Sequence, residues 1–162
     1  MPIDKVVAPL LRVPLFAGLQ PLQLTEIARH AERIKFRRGA VIIRAGEAGD
    51  AAYLIVAGRA ERMPDAASRV PEPVEPGSLL GEMAMLVEHV YSATVVAAEG
   101  VRCLRLSRAA VHAQMRDDPS LAEHLQQHIT QRLLTLALEL RAIDQVIAAS
   151  ADTFGRMAAG VR

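Results

Sequence analysis

The chain has 162 residues, is 51% hydrophobic, and balances 19 Lys+Arg against 18 Asp+Glu. That length fits one domain with a real core, and the near-neutral balance argues against a dedicated nucleic-acid binder or a polybasic membrane anchor. The single cysteine, Cys103, excludes an internal disulfide, and no stretch reaches the roughly 18 apolar residues of a membrane span.

The start, MPIDKVVAPLLRVPLF, mixes Asp4, Lys5 and Arg12 with its apolar residues and lacks the pattern of a signal peptide, so a cytoplasmic protein is expected. Residues 1–32 read as helical. Pro14 should end a first helix after Leu10, Leu11 and Val13. Pro21 opens a second, with Leu22, Leu24, Ile27, Ala28 and Ala31 on one side.

From Arg33 to Ser107 the chain is punctuated by glycines, with β-prone runs AVIIRA, AAYLIVA, SATVVAA and VRCLRLS between them. Short strands at close spacing predict an antiparallel sandwich or barrel. GEAGD is a turn in which Gly46 and Gly49 allow positive φ. PDAASRVPEPVEPG holds four prolines and reads as a loop with at most a short edge strand. Cys103, inside VRCLRLS, reads as a buried strand thiol.

From Arg108 the chain is helical again. Ser107 is a cap candidate, and Asp118-Pro119 is a second start signal, with a capping residue followed by proline at the first helical position. One long helix is expected from there to about Ala149, with a fraying tail over 150–162. On it Ile129, Leu133, Leu136, Leu140, Ile143 and Ile147 step by 4, 3, 4, 3 and 4, a heptad seam. At 1.5 Å per residue the helix would be ~45 Å long and would overrun a small barrel, so a parallel homodimer is expected. His124 and His128 share the spacing of a metal pair but have no evident third ligand, and read as surface residues.

The chemistry concentrates in LLGEMAMLVEHVYSATVVAA. Gly81 and Glu82 precede a helix-prone run, Met83 to Leu86, whose start would present free N–H groups to an anion. Glu82 is an acceptor suited to a sugar hydroxyl, Ser92 offers a hydroxyl, and the Ala93 N–H is a further donor. Leu80, Gly81, Glu82, Met83, Ala84, Tyr91, Ser92 and Ala93 are the candidate ligand-binding residues.

The ordered blocks VPLFAGL, GEAGDAAYLIVAGRAE, GEMAML, SAT and LRLSRAAV, over about residues 10 to 140, resemble the cyclic-nucleotide-binding domain family. The resemblance implies an α+β fold, an antiparallel eight-stranded β-roll of the double-stranded β-helix or jelly-roll type, flanked by N-terminal helices and a long C-terminal helix. The domain would span 1–149: helices over 1–32, roll over 33–107 and helices over 108–149. It implies that Gly81 to Ala93 is a phosphate-binding cassette, that Glu82 takes the ribose 2′-hydroxyl, and that the helix after Pro119 caps the base. It also implies an arginine just before S-A-T to pair the cyclic phosphate. This chain has Tyr91 there, preceded by Val90 in place of the usual proline. Tyrosine donates one hydrogen bond but carries no charge at neutral pH. Losing a charge-assisted contact of about 1.5–3 kcal/mol weakens binding by roughly ten- to a few hundred-fold. His89, Arg102 and Arg105 are the nearby cations, each expected to face solvent.

Two functions follow. One is a regulatory module that binds cAMP or cGMP, with affinity lowered by the missing arginine, and signals through its last helix to another protein. The other is a degenerate relative that keeps the fold, binds no nucleotide and works by protein contact. No P-loop, metal cluster or nucleophile arrangement points to an enzyme. DQVIAASADTFGRMAAGVR supplies no basic recognition helix for DNA. No cofactor is expected beyond the ligand itself.

Overall fold

A computed structural model describes residues 4–64 and 69–159, with the side chains at 4–6 and 146–159 excepted. The chain begins with α1 (Asp4–Leu10), a 3₁₀ turn at Pro14–Phe16, and α2 (Pro21–His30). Pro14 and Pro21 each open their element, as a proline with no N–H to spare can. α2 buries Leu24, Ile27 and Ala28, whereas Leu22 is 71% exposed: at the second position of the helix it lies off the buried stripe.

Among the described residues ten short strands follow: β1 (Glu32–Phe36), β2 (Val41–Ile43), β3 (Ala48–Gly49), β4 (Ala51–Ala57), β5 (Ala60–Arg62), β6 (Glu72–Val74), β7 (Leu79–Leu80), β8 (His89–Val90), β9 (Val95–Ala97) and β10 (Val101–Ser107). They pair antiparallel throughout, in the orders β1-β10-β4-β7, β2-β9-β5-β6 and β3-β8. The count exceeds eight because two-residue pairings such as β3–β8 stand as strands of their own. The proline-rich segment contributes only β6, at a sheet edge where Pro73 has no ladder bond to lose; residues 65–68 of that loop lie outside the described residues.

The strand alternation explains the core. Ile55 and Cys103 are cross-strand partners and point into the roll, beside Ile42, Ile43, Val95 and Val101. Leu54 and Leu104, one residue along each strand, pair on the opposite face and are also buried. Each such side chain contributes about 1.5–3 kcal/mol when fully buried. Burial pushes the Cys103 thiol up to about 12, as an inert strand residue requires.

The Ser107 hydroxyl accepts from the Ala110 N–H at 3.3 Å and starts α3 (Arg108–Asp117). Asp118 starts α4 (Pro119–Ala159), its carboxylate accepting from the N–H groups of Ser120 and Leu121 at 2.9 and 3.1 Å. The helix continues past the expected end at Ala149, through an alanine-rich stretch that has no proline and tolerates Gly155. Residues 160–162, the last of the expected tail, lie outside the described residues. Cα packing divides the chain into two units, residues 1–125 and 126–162. In the second unit Leu133, Leu140 and Ile143 of the heptad seam are 53%, 64% and 55% exposed. The side chain of Ile147 lies outside the described residues.

The Gln23 amide donates to Asp118 at 2.8 Å and to the Ser120 hydroxyl at 2.8 Å, tying α2 to the first turn of α4. Gln23, then Ser120 and the Leu121 N–H, lower the Asp118 pKa from 3.8 to about 2. A depressed carboxylate pKa stabilises the fold fully above the unfolded value and loses that contribution as pH falls through the folded one. Thermal melts from neutral pH down to about 2 should therefore show a component lost below about 3.8 that Asp118→Asn abolishes.

Candidate functional site

Gly81 is the residue on which the candidate site turns. It sits in the left-handed region at φ +69°, between β7 and a 3₁₀ turn at Glu82–Met85. An L side chain is strained there, and an added Cβ would also come within 2.5 Å of the Tyr91 ring. The helix-prone run is thus a single tight turn, closed by Ala84 N–H to Gly81 O at 2.9 Å and by Leu86 and Val87 N–H to Met83 O at 3.0 and 2.9 Å. Such a turn carries little dipole, so an anion at its start would rely on individual N–H groups rather than on a helix field.

Tyr91 follows the turn and points inward. It is 8% exposed and belongs to the apolar cluster inside the roll, with Leu80 and Ala84. Its hydroxyl donates to Ala51 O at 2.8 Å, and its backbone is held on both sides, Tyr91 N–H to Glu47 O at 3.0 Å and Gly46 N–H to Tyr91 O at 2.9 Å. Burial, then the neighbouring Tyr53, raise the phenol above its ordinary pKa, so it is a neutral donor.

Gly49 is the other half of this packing. Gly46 has positive φ, at +85°, but Gly49 does not. What Gly49 supplies is room: a Cβ there would lie 2.5 Å from the Ala84 Cβ and 2.7 Å from the Tyr91 ring. The structure thus brings Gly81, Ala84 and Tyr91 together around Gly49. Ser92 and Ala93 form a bend between Tyr91 and Thr94, Ser92 exposed and Ala93 half-buried. Thr94 anchors the far side through its hydroxyl, which accepts from Ala45 N–H at 3.0 Å. Glu82 and Met83 are half-buried at the rim.

Two side chains that tie the turn to α3 escaped sequence reading. Arg108, the first residue of α3, places Nη1 3.1 Å from Gly49 O on β3 and 3.2 and 2.8 Å from Ala84 O and Val87 O at the end of the turn, donating to all three carbonyls. One helical turn later, His112 Nε2–H donates to Leu86 O at 2.7 Å, since a carbonyl only accepts. The sole sequence signal was their i, i+4 spacing, which names no partner. Arg105, expected to face solvent, is instead an ion-pair hub, its side chain 18% exposed and 2.7 Å from both Glu32 and Asp50. Burial alone would lower its pKa, but hydrogen bonds to Tyr53 and Asp50 hold it raised. Arg102 and His89 do face solvent. His124 Nε2–H donates to Leu15 O at 2.8 Å. No cluster of three or more metal-ligating side chains occurs among the described residues.

A family model described as the cyclic nucleotide-binding domain matches residues 33–118, which contain the roll, the Gly81–Ala93 segment and α3. The chain belongs to the cyclic nucleotide-binding domain family. The domain is 39% identical over 113 residues to a cyclic nucleotide-gated potassium channel of Mesorhizobium japonicum, covering 68% of this chain and 30% of the channel. It is 32% identical over 130 residues to a cyclic AMP receptor protein of Thermus thermophilus, covering 78% of this chain and 60% of that protein. Among solved structures, a cyclic nucleotide-binding-like protein of Brucella abortus matches at TM-score 0.62 and 32% identity, over 71% of this chain and all of that one. The catabolite activator protein of Thermus thermophilus matches at TM-score 0.64 and 30% identity, over 81% and 63% of the two chains. The domain spans 30% of the channel and 58% of a CRP-like cAMP-activated regulator of Mycobacterium tuberculosis, so it accounts for only part of such relatives. No helix among the described residues is long and apolar enough to cross a membrane.

Proposed function

We propose that this chain is a non-catalytic regulatory module of the cytoplasm that senses a cyclic nucleotide, cAMP or cGMP, with weakened affinity. The observation that carries this reading is the link between cassette and helix: Arg108 and His112 hold the Ala84, Leu86 and Val87 carbonyls, so a ligand that shifts the turn loads α3 directly. The phosphate would be met by the Ser92 hydroxyl and the Ala93 N–H, with Glu82 toward the sugar. Tyr91 adds no positive charge, which keeps affinity low. The relatives named for cAMP or cyclic nucleotides support this ligand class.

The output proposed is a protein contact rather than DNA, in keeping with the balance of 19 Lys+Arg against 18 Asp+Glu. The exposed seam of Leu133, Leu136, Leu140 and Ile143 supports a homodimer, because covering an apolar stripe that faces water lowers the free energy. Calorimetry with cAMP and cGMP should give saturable binding in the high-micromolar to millimolar range, and sedimentation at tens of micromolar should give a dimer. Absence of heat and of any thermal shift from both nucleotides would remove the sensor, and a monomer would remove the seam.

A second reading has its own observation. The Tyr91 ring packs on Gly49, Gly81 and Ala84, and its hydroxyl is already satisfied by Ala51. A roll closed in this way suits a domain that binds no nucleotide and acts through its surface alone. The same titration separates the two.

A further inference from the structure

On the outer face of the β1-β10-β4-β7 sheet, beside α1, lies a groove of about 600 Å³ that the cassette does not use. Its rim carries Arg12, Arg33, Lys35 and Arg102, and no acidic side chain lines it. Its floor is apolar, built from Ala8, Pro9, Val56 and Leu104, while Ile34, the cross-strand partner of Cys103, turns its side chain to the other face. The strand register makes the rim unusual. Lys35 on β1 and Arg102 on β10 are direct cross-strand partners, and Arg33 lies two residues from Lys35 on the same face. Like charges set directly opposite on one face destabilise a sheet. The described ion pairs engage Arg29, Arg44 and Arg105, and none of the four groove cations takes part.

The floor is shaped by a β-bulge. Arg102 pairs with Ala57 and Cys103 with Ile55, so Val56 is left without a partner and faces the groove. Bulges of this kind re-aim side chains and concentrate near functional sites. In a chain whose net charge is only +1, four cations around an apolar hollow are a local segregation of charge. The volume falls within the roughly 300–1,000 Å³ of small-molecule pockets, which likewise combine an apolar lining with a few placed polar groups. A flat protein contact needs no such hollow.

We propose that this groove is a second ligand site, for a small free anion with an apolar body: a carboxylate or phosphate head held by Lys35, Arg102, Arg33 and Arg12, and an aliphatic tail laid on Ala8, Val56 and Leu104. The site is independent of the cassette. The test is calorimetric titration of the full chain with sodium decanoate and with decyl phosphate, each below its micelle concentration, and with Lys35→Glu beside the parent. Lys35→Glu turns the repulsive pair with Arg102 into an attractive one, so it folds at least as well, with an unchanged or higher Tm. The expected result is saturable one-to-one binding that weakens with added salt and weakens at least tenfold in Lys35→Glu. The proposal is overturned if neither probe binds saturably or if Lys35→Glu binds equally well. Binding confined to a polyglutamate peptide or to phosphatidylglycerol vesicles would also overturn it, giving the face to a protein or to a membrane.

Discussion

Replacing Tyr91 by arginine should raise affinity for cAMP by roughly ten- to a few hundred-fold, the equivalent of one charge-assisted hydrogen bond of about 1.5–3 kcal/mol. The substitution has two opposing effects on the free protein. It removes the hydroxyl bond to Ala51 and takes a buried ring out of the apolar cluster, and it adds a partly buried cation near an Asp50 carboxylate that Arg105 already engages. The ligand-free variant should therefore melt below the parent. Nucleotide should then recover more stability in the variant than in the parent, because stabilisation by ligand grows with its concentration relative to Kd. A folded variant whose melting point and calorimetric heat ignore cAMP and cGMP would mean that the cassette no longer seats a phosphate at all.

Arg108→Met should be the most damaging single change outside the core. One guanidinium nitrogen supports three carbonyls, and the methionine stem keeps much of the volume while removing every donor. Leaving those part-buried acceptors unpaired should cost about 2–3 kcal/mol, a fall in Tm of roughly 5–10 °C for a chain of this size. Amide exchange should rise first in the turn from Ala84 to Val87, before α3 itself loosens. In the Tyr91→Arg background the same substitution should erase most of the gained affinity, since the turn would no longer be held in place. Additive effects of the two changes would show that Arg108 is a stability residue with no part in ligand response.

The legible features of this chain were those written locally. Ser107 and Asp118 announce their helices because a short polar side chain before a helical run has one good use. The glycine spacing marked the strands, and the block around Gly81 marked the tight turn that packs on Tyr91. Contacts between distant segments were invisible. Nothing near Arg108 in the sequence mentions Val87, 21 positions earlier. Gly49 looked like a turn glycine, but its value is the space it leaves for Ala84 and Tyr91, which only the folded register shows. The resemblance put Tyr91 where the family pattern expects an arginine, but such a pattern does not set a rotamer. Its inward turn follows from the energetic preference of an aromatic ring for the apolar cluster. Leu22 and the continuation of α4 beyond Ala149 show the same limit at element ends, where one turn of phase or a run of alanines decides the outcome.

The amide of Gln23 grips two oxygens at the foot of α4, one from Asp118 and one from Ser120. Any pivoting of that foot must either break both bonds or drag α2 along. The mobile body in a switching event would then be a pair of helices yoked by one glutamine, and its leverage would reach the amino-terminal end of the chain as readily as the carboxy-terminal one.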